Sequence, residues 1–180
     1  VVTPPTEEPI TAETAKLHTR VGTDLEDALI DLWIESGRIM AEGYQNRSFV
    51  KRTMEALFDT CPPRQFELTL PPIIEVDSIT FYDEDEEPHE VDNADYYVDV
   101  DSGRIALKKG KEWPDVELRP MNAVVVRYKA GHGTAEDVPK TVKDALLTYV
   151  TYRYYNREAE GSEPPPQFYW LLAPDRRWNA

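Results

Sequence analysis

Beyond Leu25 the apolar residues recur at helical spacing: Ala28, Leu29, Leu32, Trp33, Ser36, Ile39 or Met40, Gly43 and Tyr44 fall on one i, i+3, i+4, i+7, i+8 stripe. The stripe predicts a long helix over about residues 24–45 that buries this face. Thr23 or Asp24 opens it, Asp24, Glu26 and Asp27 suit the positive end of its dipole, and Gly43 and Asn46 loosen and end it. A shorter helix, capped by Thr11 or Thr14, precedes it and runs towards Val21.

The period then changes to that of short strands. Runs at 48–58, 66–70, 76–82, 96–100 and 104–107 read as strands, the last two joined across Asp101-Ser102-Gly103 as a hairpin. Residues 121–129, with Val124-Val125-Val126 and Tyr128, carry the strongest strand pattern, and Ala130-Gly131-His132-Gly133 reads as the loop that ends it. Helical spacing returns after Pro139 with Val142, Ala145, Leu146, Tyr149, Tyr152 and Arg153, continuing to Arg157 with Gly161 as the stop. Pro164-Pro165-Pro166 follows as a stiff spacer, and an apolar tail closes the chain. No β-α-β run occurs, so the order predicts an α+β fold: a bundle of the long N-terminal and the C-terminal helix, packed with a small, mostly antiparallel sheet, with extended terminal arms. The expected partition is a flexible Pro-rich arm (1–10), a single α+β domain (11–160) and a Pro-spaced tail (161–180).

Charge changes this picture at one place. The formal net charge of −14 over 180 residues argues against a surface built to grip phosphates. Residues 65–103 hold 13 acids and no Lys or Arg, whereas the rest of the chain carries 21 acids and 20 bases. The acidity belongs to one strand-and-hairpin segment, with Asp83, Glu84, Asp85, Glu86, Glu87 and Glu90 at its centre.

Candidate chemistry is sparse. Cys61 is the only cysteine, so neither an internal disulfide nor a paired-thiol zinc cluster is available. His18, His89 and His132 are far apart, and no run approaches the ~18 apolar residues of a membrane span. No charged-then-apolar leader opens these residues, and a soluble protein of a reducing compartment is expected. Gly131-His132-Gly133 lacks the lysine and spacing of a phosphate loop and reads as a turn. Residues 83–87 lack the alternation, central Gly and closing Glu of a calcium loop. Counted from Asp99, position twelve is Gly110 rather than Glu. No spacing selects a carboxylate pair, no G-x-S-x-G is present, and no motif pairs Cys61 with a His. No catalytic residue, metal site or cofactor is expected.

Two aromatic features remain. Phe168, Tyr169, Trp170, Leu171, Leu172, Arg176, Arg177 and Trp178 lie beyond the proline spacer; they either fold back onto their own domain or dock on a partner. Tyr149, Tyr152, Tyr154 and Tyr155 place four tyrosines in seven residues, more than one helix face buries, which points some of them at a neighbouring subunit.

The order of several segments resembles one family. Lys16-Leu17-His18-Thr19-Arg20-Val21 precedes the long helix, which ends near Gly43-Tyr44-Gln45-Asn46-Arg47. Phe66-Glu67-Leu68-Thr69-Leu70-Pro71-Pro72 runs through Ile73-Ile74-Glu75-Val76-Asp77-Ser78-Ile79, and Trp113-Pro114 follows. Ala123-Val124-Val125-Val126-Arg127-Tyr128-Lys129-Ala130-Gly131 then leads into Val138-Pro139-Lys140-Thr141-Val142-Lys143-Asp144-Ala145. Arg157-Glu158 and Leu171-Leu172-Ala173-Pro174-Asp175-Arg176 close the series. Together they resemble the head–tail connector, or adaptor, proteins of long-tailed bacteriophages, over nearly the whole chain after the Pro-rich arm.

The resemblance implies a non-enzymatic ring, usually of twelve subunits, beneath the portal protein. Such a ring extends the DNA channel, through which double-stranded DNA passes without sequence-specific binding, and receives stopper or tail-completion proteins. It implies a virion component of the head–tail interface, assembled in the host cytoplasm, with no membrane partner and a C-terminal segment that grips the portal. The acidic stretch and the long arm depart from the family pattern, and the hairpin faces either the channel lumen or a partner. A stopper or tail-completion protein is the nearer alternative; a carboxylate-dependent hydrolase or calcium-binding module is the one from another class.

Overall fold

The computed structural model describes residues 1–157 and 163–178, so the expected helix stop at Gly161, Glu158 of the family series and the 160/161 boundary lie outside the described residues. Four helices and two antiparallel sheets give the α+β class. The chain divides into two compact units: Val1–Pro5 with Lys51–His132, and Thr6–Val50 with Gly133–Ala180.

The helical unit contains α1 (Ala12–Thr19), α2 (Asp27–Gln45), α3 (Lys140–Tyr155) and α4 (Pro166–Leu172). Thr11 caps α1, its Oγ1 accepting from the Thr14 N–H at 3.2 Å. Helix α2 starts three residues later than expected, because Asp24 is drawn to Lys16, whose Nζ lies 2.6 Å from Oδ1. Asn46, in the left-handed region at φ 55°, ends it.

The buried face of α2 is not the expected stripe. Ile30, Trp33, Ile34, Gly37, Arg38, Ala41, Glu42 and Gln45 point inward, while Leu32 and Ile39 are left outside. Two physical causes turn the helix. Gly37 lets α3 approach so closely that a Cβ there would lie 2.7 Å from Cδ1 of Tyr149. Arg38 and Glu42, which read as solvent positions, are buried as a bonded network. Arg38 donates to Glu8 through Nε (2.7 Å) and Nη2 (3.0 Å) and to Glu42 through Nη1 (3.1 Å). The second oxygen of Glu42 accepts from the Phe49 N–H at 3.0 Å. Burial alone would lower the Arg38 pKa, and the Glu8 and Glu42 carboxylates raise it above its ordinary value. A buried pair held this way contributes through being satisfied.

The same network reaches into residues 1–10, the expected flexible arm. Glu8 is held by Arg38 and Ile10 is buried in the helical core, while Val2 donates its N–H to the Thr53 carbonyl at 3.0 Å in the strand unit.

The strand unit has a four-stranded sheet in the order β1-β7-β3-β4 and a three-stranded sheet in the order β2-β6-β5. The strands are β1 (Arg52–Phe58), β2 (Gln65–Glu67), β3 (Ile73–Tyr82), β4 (Pro88–Glu90), β5 (Tyr96–Asp99), β6 (Arg104–Leu107) and β7 (Val124–Ala130). Strand β7 lies between β1 and β3, and Val124, Val126, Tyr128 and Ala130 alternate into the core with Ile79, Phe81 and Ile105. One sheet was expected and two form, because β2, β5 and β6 pair only with one another.

Candidate functional site

The apolar tail divides in two. Pro166 occupies the first turn of α4, where its missing N–H costs nothing, so the predicted extended arm is a helix. Phe168 and Leu172 are 0% exposed. The Phe168 ring packs 5.7 Å from that of Tyr149, and Tyr169 lies 5.0 Å from Tyr44. Hydrogen bonds fix the rest: Gln45 Nε2 donates to the Leu172 carbonyl (2.7 Å), Arg47 Nε to the Asp175 carbonyl (2.9 Å), and the Arg177 N–H to the Gln45 carbonyl (3.0 Å). Arg176 stacks over Tyr44 at 4.4 Å and over Trp178 at 4.1 Å. Trp170 at 69% and Trp178 at 75% exposure face outward, and Leu171 is half-buried. Of the eight tail residues, then, Phe168 and Leu172 belong to the core, and the two tryptophans with Arg176 and Arg177 form its outer corner.

The acidic segment forms a turn between β3 and β4, organised by its own side chains. Asp83 accepts from the Asp85 N–H (3.0 Å) and the Glu87 N–H (2.9 Å) on one oxygen, and its other oxygen lies 2.7 Å from His89 Nε2. His89 first, then the Glu87 amide, hold the Asp83 carboxyl below its ordinary value. Arg119 stacks on Tyr82 at 4.3 Å and donates to Glu86 at 2.9 Å. Glu84, Asp85, Glu87 and Glu90 are exposed. Five of the six acids, Asp83 to Glu87, thus form one turn, with Asp83 and Glu86 spent on shaping it, and Glu90 ends β4 beside it.

The tyrosine cluster also divides. Tyr149 is core, packed where Gly37 opens space, and so is unavailable to a neighbouring subunit. Tyr152 and Tyr154 are half-buried, the latter edge-on to Trp33 at 6.4 Å with Arg157 at 4.6 Å from its ring. Burial pushes the Tyr154 phenol up, with Glu26 adding to it. Tyr155 is exposed and donates its hydroxyl to the Thr19 carbonyl at 3.1 Å.

The other sequence features resolve into structure. Gly131-His132-Gly133 leads into a turn whose Asp137 carboxylate accepts from the Thr134 N–H and hydroxyl, both at 2.8 Å. A Cβ on Gly133 would sit 2.6 Å from that carboxylate, so an acid already fills the place a phosphate would need. Partial burial pushes the Cys61 thiol up, away from a reactive thiolate. Asp99 caps the β5–β6 turn; the Ser102 hydroxyl and then Arg104 lower its pKa to about 2. Among the described residues no three His, Cys, Asp or Glu converge as a metal site, and no helix is long and apolar enough to cross a membrane. The Glu8–Arg38–Glu42 network was missed from sequence; Arg38 and Glu42, four apart between Ile34 and Gln45, were its visible signal.

No protein-family model matches the chain, and no curated protein matches it by sequence. Solved structures do match. The chain is similar to a component of the neck of an empty gene transfer agent particle computed with C6 symmetry, with a TM-score of 0.80, 16% identity and coverage of 100% of this chain and 97% of the other. A chain of the native gene transfer agent virion gives a TM-score of 0.79 at 16% identity, with the same coverage. A chain of the native neck computed with C12 symmetry gives 0.74, again at 16% identity and the same coverage. At this identity the likeness establishes a shared fold.

Proposed function

We propose that this chain is a head–tail adaptor: a structural, non-enzymatic subunit that forms a ring beneath a phage-type portal, extends the DNA channel and presents the attachment surface for a stopper or tail-completion protein. The observation that carries the reading is the full-length fold likeness to neck components of phage-like particles, at a TM-score of 0.80 over 100% of the chain. The residue series ending in Leu171-Leu172-Ala173-Pro174-Asp175-Arg176 favours the adaptor among neck proteins. The ring is one of twelve copies, a number supported by the C12 symmetry of a neighbouring neck, and the setting is the virion's head–tail interface, after assembly in the host cytoplasm.

In this reading the outer corner of the tail, Trp170, Arg176, Arg177 and Trp178, meets the portal, since Phe168 and Leu172 are committed to the core. Large aromatic and arginine side chains on a rigid base are the groups that anchor interfaces at low entropic cost. The exposed Glu84, Asp85, Glu87 and Glu90, repeated around a ring, face the lumen and repel passing phosphates, so that duplex DNA slides without sticking.

The test is a portal pull-down with the full chain and with Trp170→Ala/Trp178→Ala. Truncation of the tail is the wrong comparison, because it removes core residues. Binding by the wild type and its loss in the variant supports the reading. Equal binding by both overturns the role of the corner, and binding by neither overturns the adaptor assignment. A stopper would bind only an adaptor ring already in place.

A further inference from the structure

Three arginines among the described residues lie over aromatic rings. Arg119 is 4.3 Å from the ring of Tyr82, and Arg157 is 4.6 Å from that of Tyr154 and 5.7 Å from that of Trp33. Arg176 is 4.4 Å from Tyr44 and 4.1 Å from Trp178. A ring over a guanidinium leaves its N–H donors, which point outward in the guanidinium plane, to be satisfied by something else. At two of the three sites a carboxylate does this. Glu86 accepts from Arg119 Nη1 at 2.9 Å. Glu26 takes Arg157 as a bidentate pair, Nη1 to Oε1 at 2.5 Å and Nη2 to Oε2 at 2.9 Å.

The third site has the rings and the cation but lacks the carboxylate. No side-chain donor of Arg176 meets an acceptor among the described residues, and none of its nitrogens is sealed from solvent. Its backbone is fixed on both sides, because the Asp175 carbonyl accepts from Arg47 and the Arg177 N–H donates to the Gln45 carbonyl. The guanidinium is therefore held in place before any partner arrives, and binding immobilises little further.

A carboxylate or a phosphate would fit such a fork, and the surroundings favour the first. Asp175, beside Arg176, is exposed, and Glu163 adds to the rise that burial causes in the Tyr169 phenol pKa, so acids flank these rings. Duplex DNA is gripped by several cations along its backbone, and acids at the site oppose it. Both filled sites of the same kind hold a carboxylate.

We infer that Arg176 is the receptor for one carboxylate of the partner: an acidic side chain of the portal seats on its N–H groups as Glu26 seats on Arg157, with Tyr44 and Trp178 beside it. The assignment rests on the portal reading above and adds the chemistry of the group that the portal supplies. It requires arginine, because lysine carries the charge without the planar fork.

The test measures binding of the full-length chain to a portal ring, with thermal melting as the folding control. Arg176→Lys and Arg176→Ala are each expected to weaken binding at least about tenfold with the fold preserved, since the guanidinium makes no hydrogen bond within the described residues. Carbodiimide treatment of the Arg176→Lys complex, followed by mass spectrometry, should join position 176 to an Asp or Glu of the portal. A wild type that fails to bind the portal overturns the adaptor reading itself. A wild type that binds, with an Arg176→Lys variant that binds equally well, overturns this contact alone. So does a position 176 that is joined only to a second copy of this chain or to nothing. Binding of the wild type to duplex DNA, read by fluorescence anisotropy and abolished in Arg176→Ala, also overturns it, because the occupant is then a phosphate.

Discussion

The C-terminal tail and the acidic turn both read from sequence as surface features, yet they are built in opposite ways. In the tail, Phe168 and Leu172 close the core against Tyr149 while Trp170 projects from the same short helix and Trp178, beyond its end, is also exposed. In the turn, Asp83 and Arg119 organise a few residues locally, and Glu84, Asp85, Glu87 and Glu90 are exposed. The difference teaches that an exposed residue of the tail is inseparable from the fold that carries it, whereas the charge of the turn can be altered with little structural consequence.

The largest expected effect breaks the tail side of this comparison. Phe168→Ala should destabilise the protein by about 3–5 kcal/mol, measured by urea denaturation, because a fully buried ring is removed beside Tyr149. Trp170→Ala, one turn-face away, should shift stability by under about 0.5 kcal/mol in the same measurement. Comparable losses for the two would show that the tail does not divide into core and surface.

On the turn side, Asp83→Ala removes the acceptor of the Asp85 and Glu87 amides. Amide hydrogen exchange across residues 84–88 should quicken, while protection of β7 stays as in the wild type. Loss of protection in β7 as well would show that the turn is coupled to the sheet. The smallest effect concerns pH at the neighbouring β5–β6 turn. The folded-state pKa of Asp99 is depressed to about 2, so its stabilising contribution is complete above the ordinary carboxylate value of about 3.9 and is lost as the pH falls towards 2. A carboxyl NMR titration with its midpoint near 2 checks this, and Ser102→Ala should move the midpoint upward.

How much could be read from sequence follows the same physics. Strand β7 and the Asp101-Ser102-Gly103 turn were legible because alternation and turn chemistry are local; Gly103 adopts φ 73° there. The buried face of α2 was not, because hydrophobicity alone puts Leu32 and Ile39 inside and Arg38 and Glu42 outside. Tertiary contact reversed this through the small Gly37 and the carboxylate of Glu8, thirty residues from Arg38. Strand β4, three residues long, has too short a pattern to see. The three prolines read as a spacer, although Pro166 is also a good first residue for α4. For the candidate sites, residue type singled out the segments, but only packing separates the exposed Trp170 from the buried Phe168, or Tyr155 from Tyr149.

The adaptor assignment is tested most directly by electron microscopy of the full-length chain mixed with a portal ring, without any other neck protein. The account predicts a second ring beneath the portal with the portal's own rotational symmetry. Portal rings that remain bare, with the chain binding only after another protein has formed that ring, would contradict it.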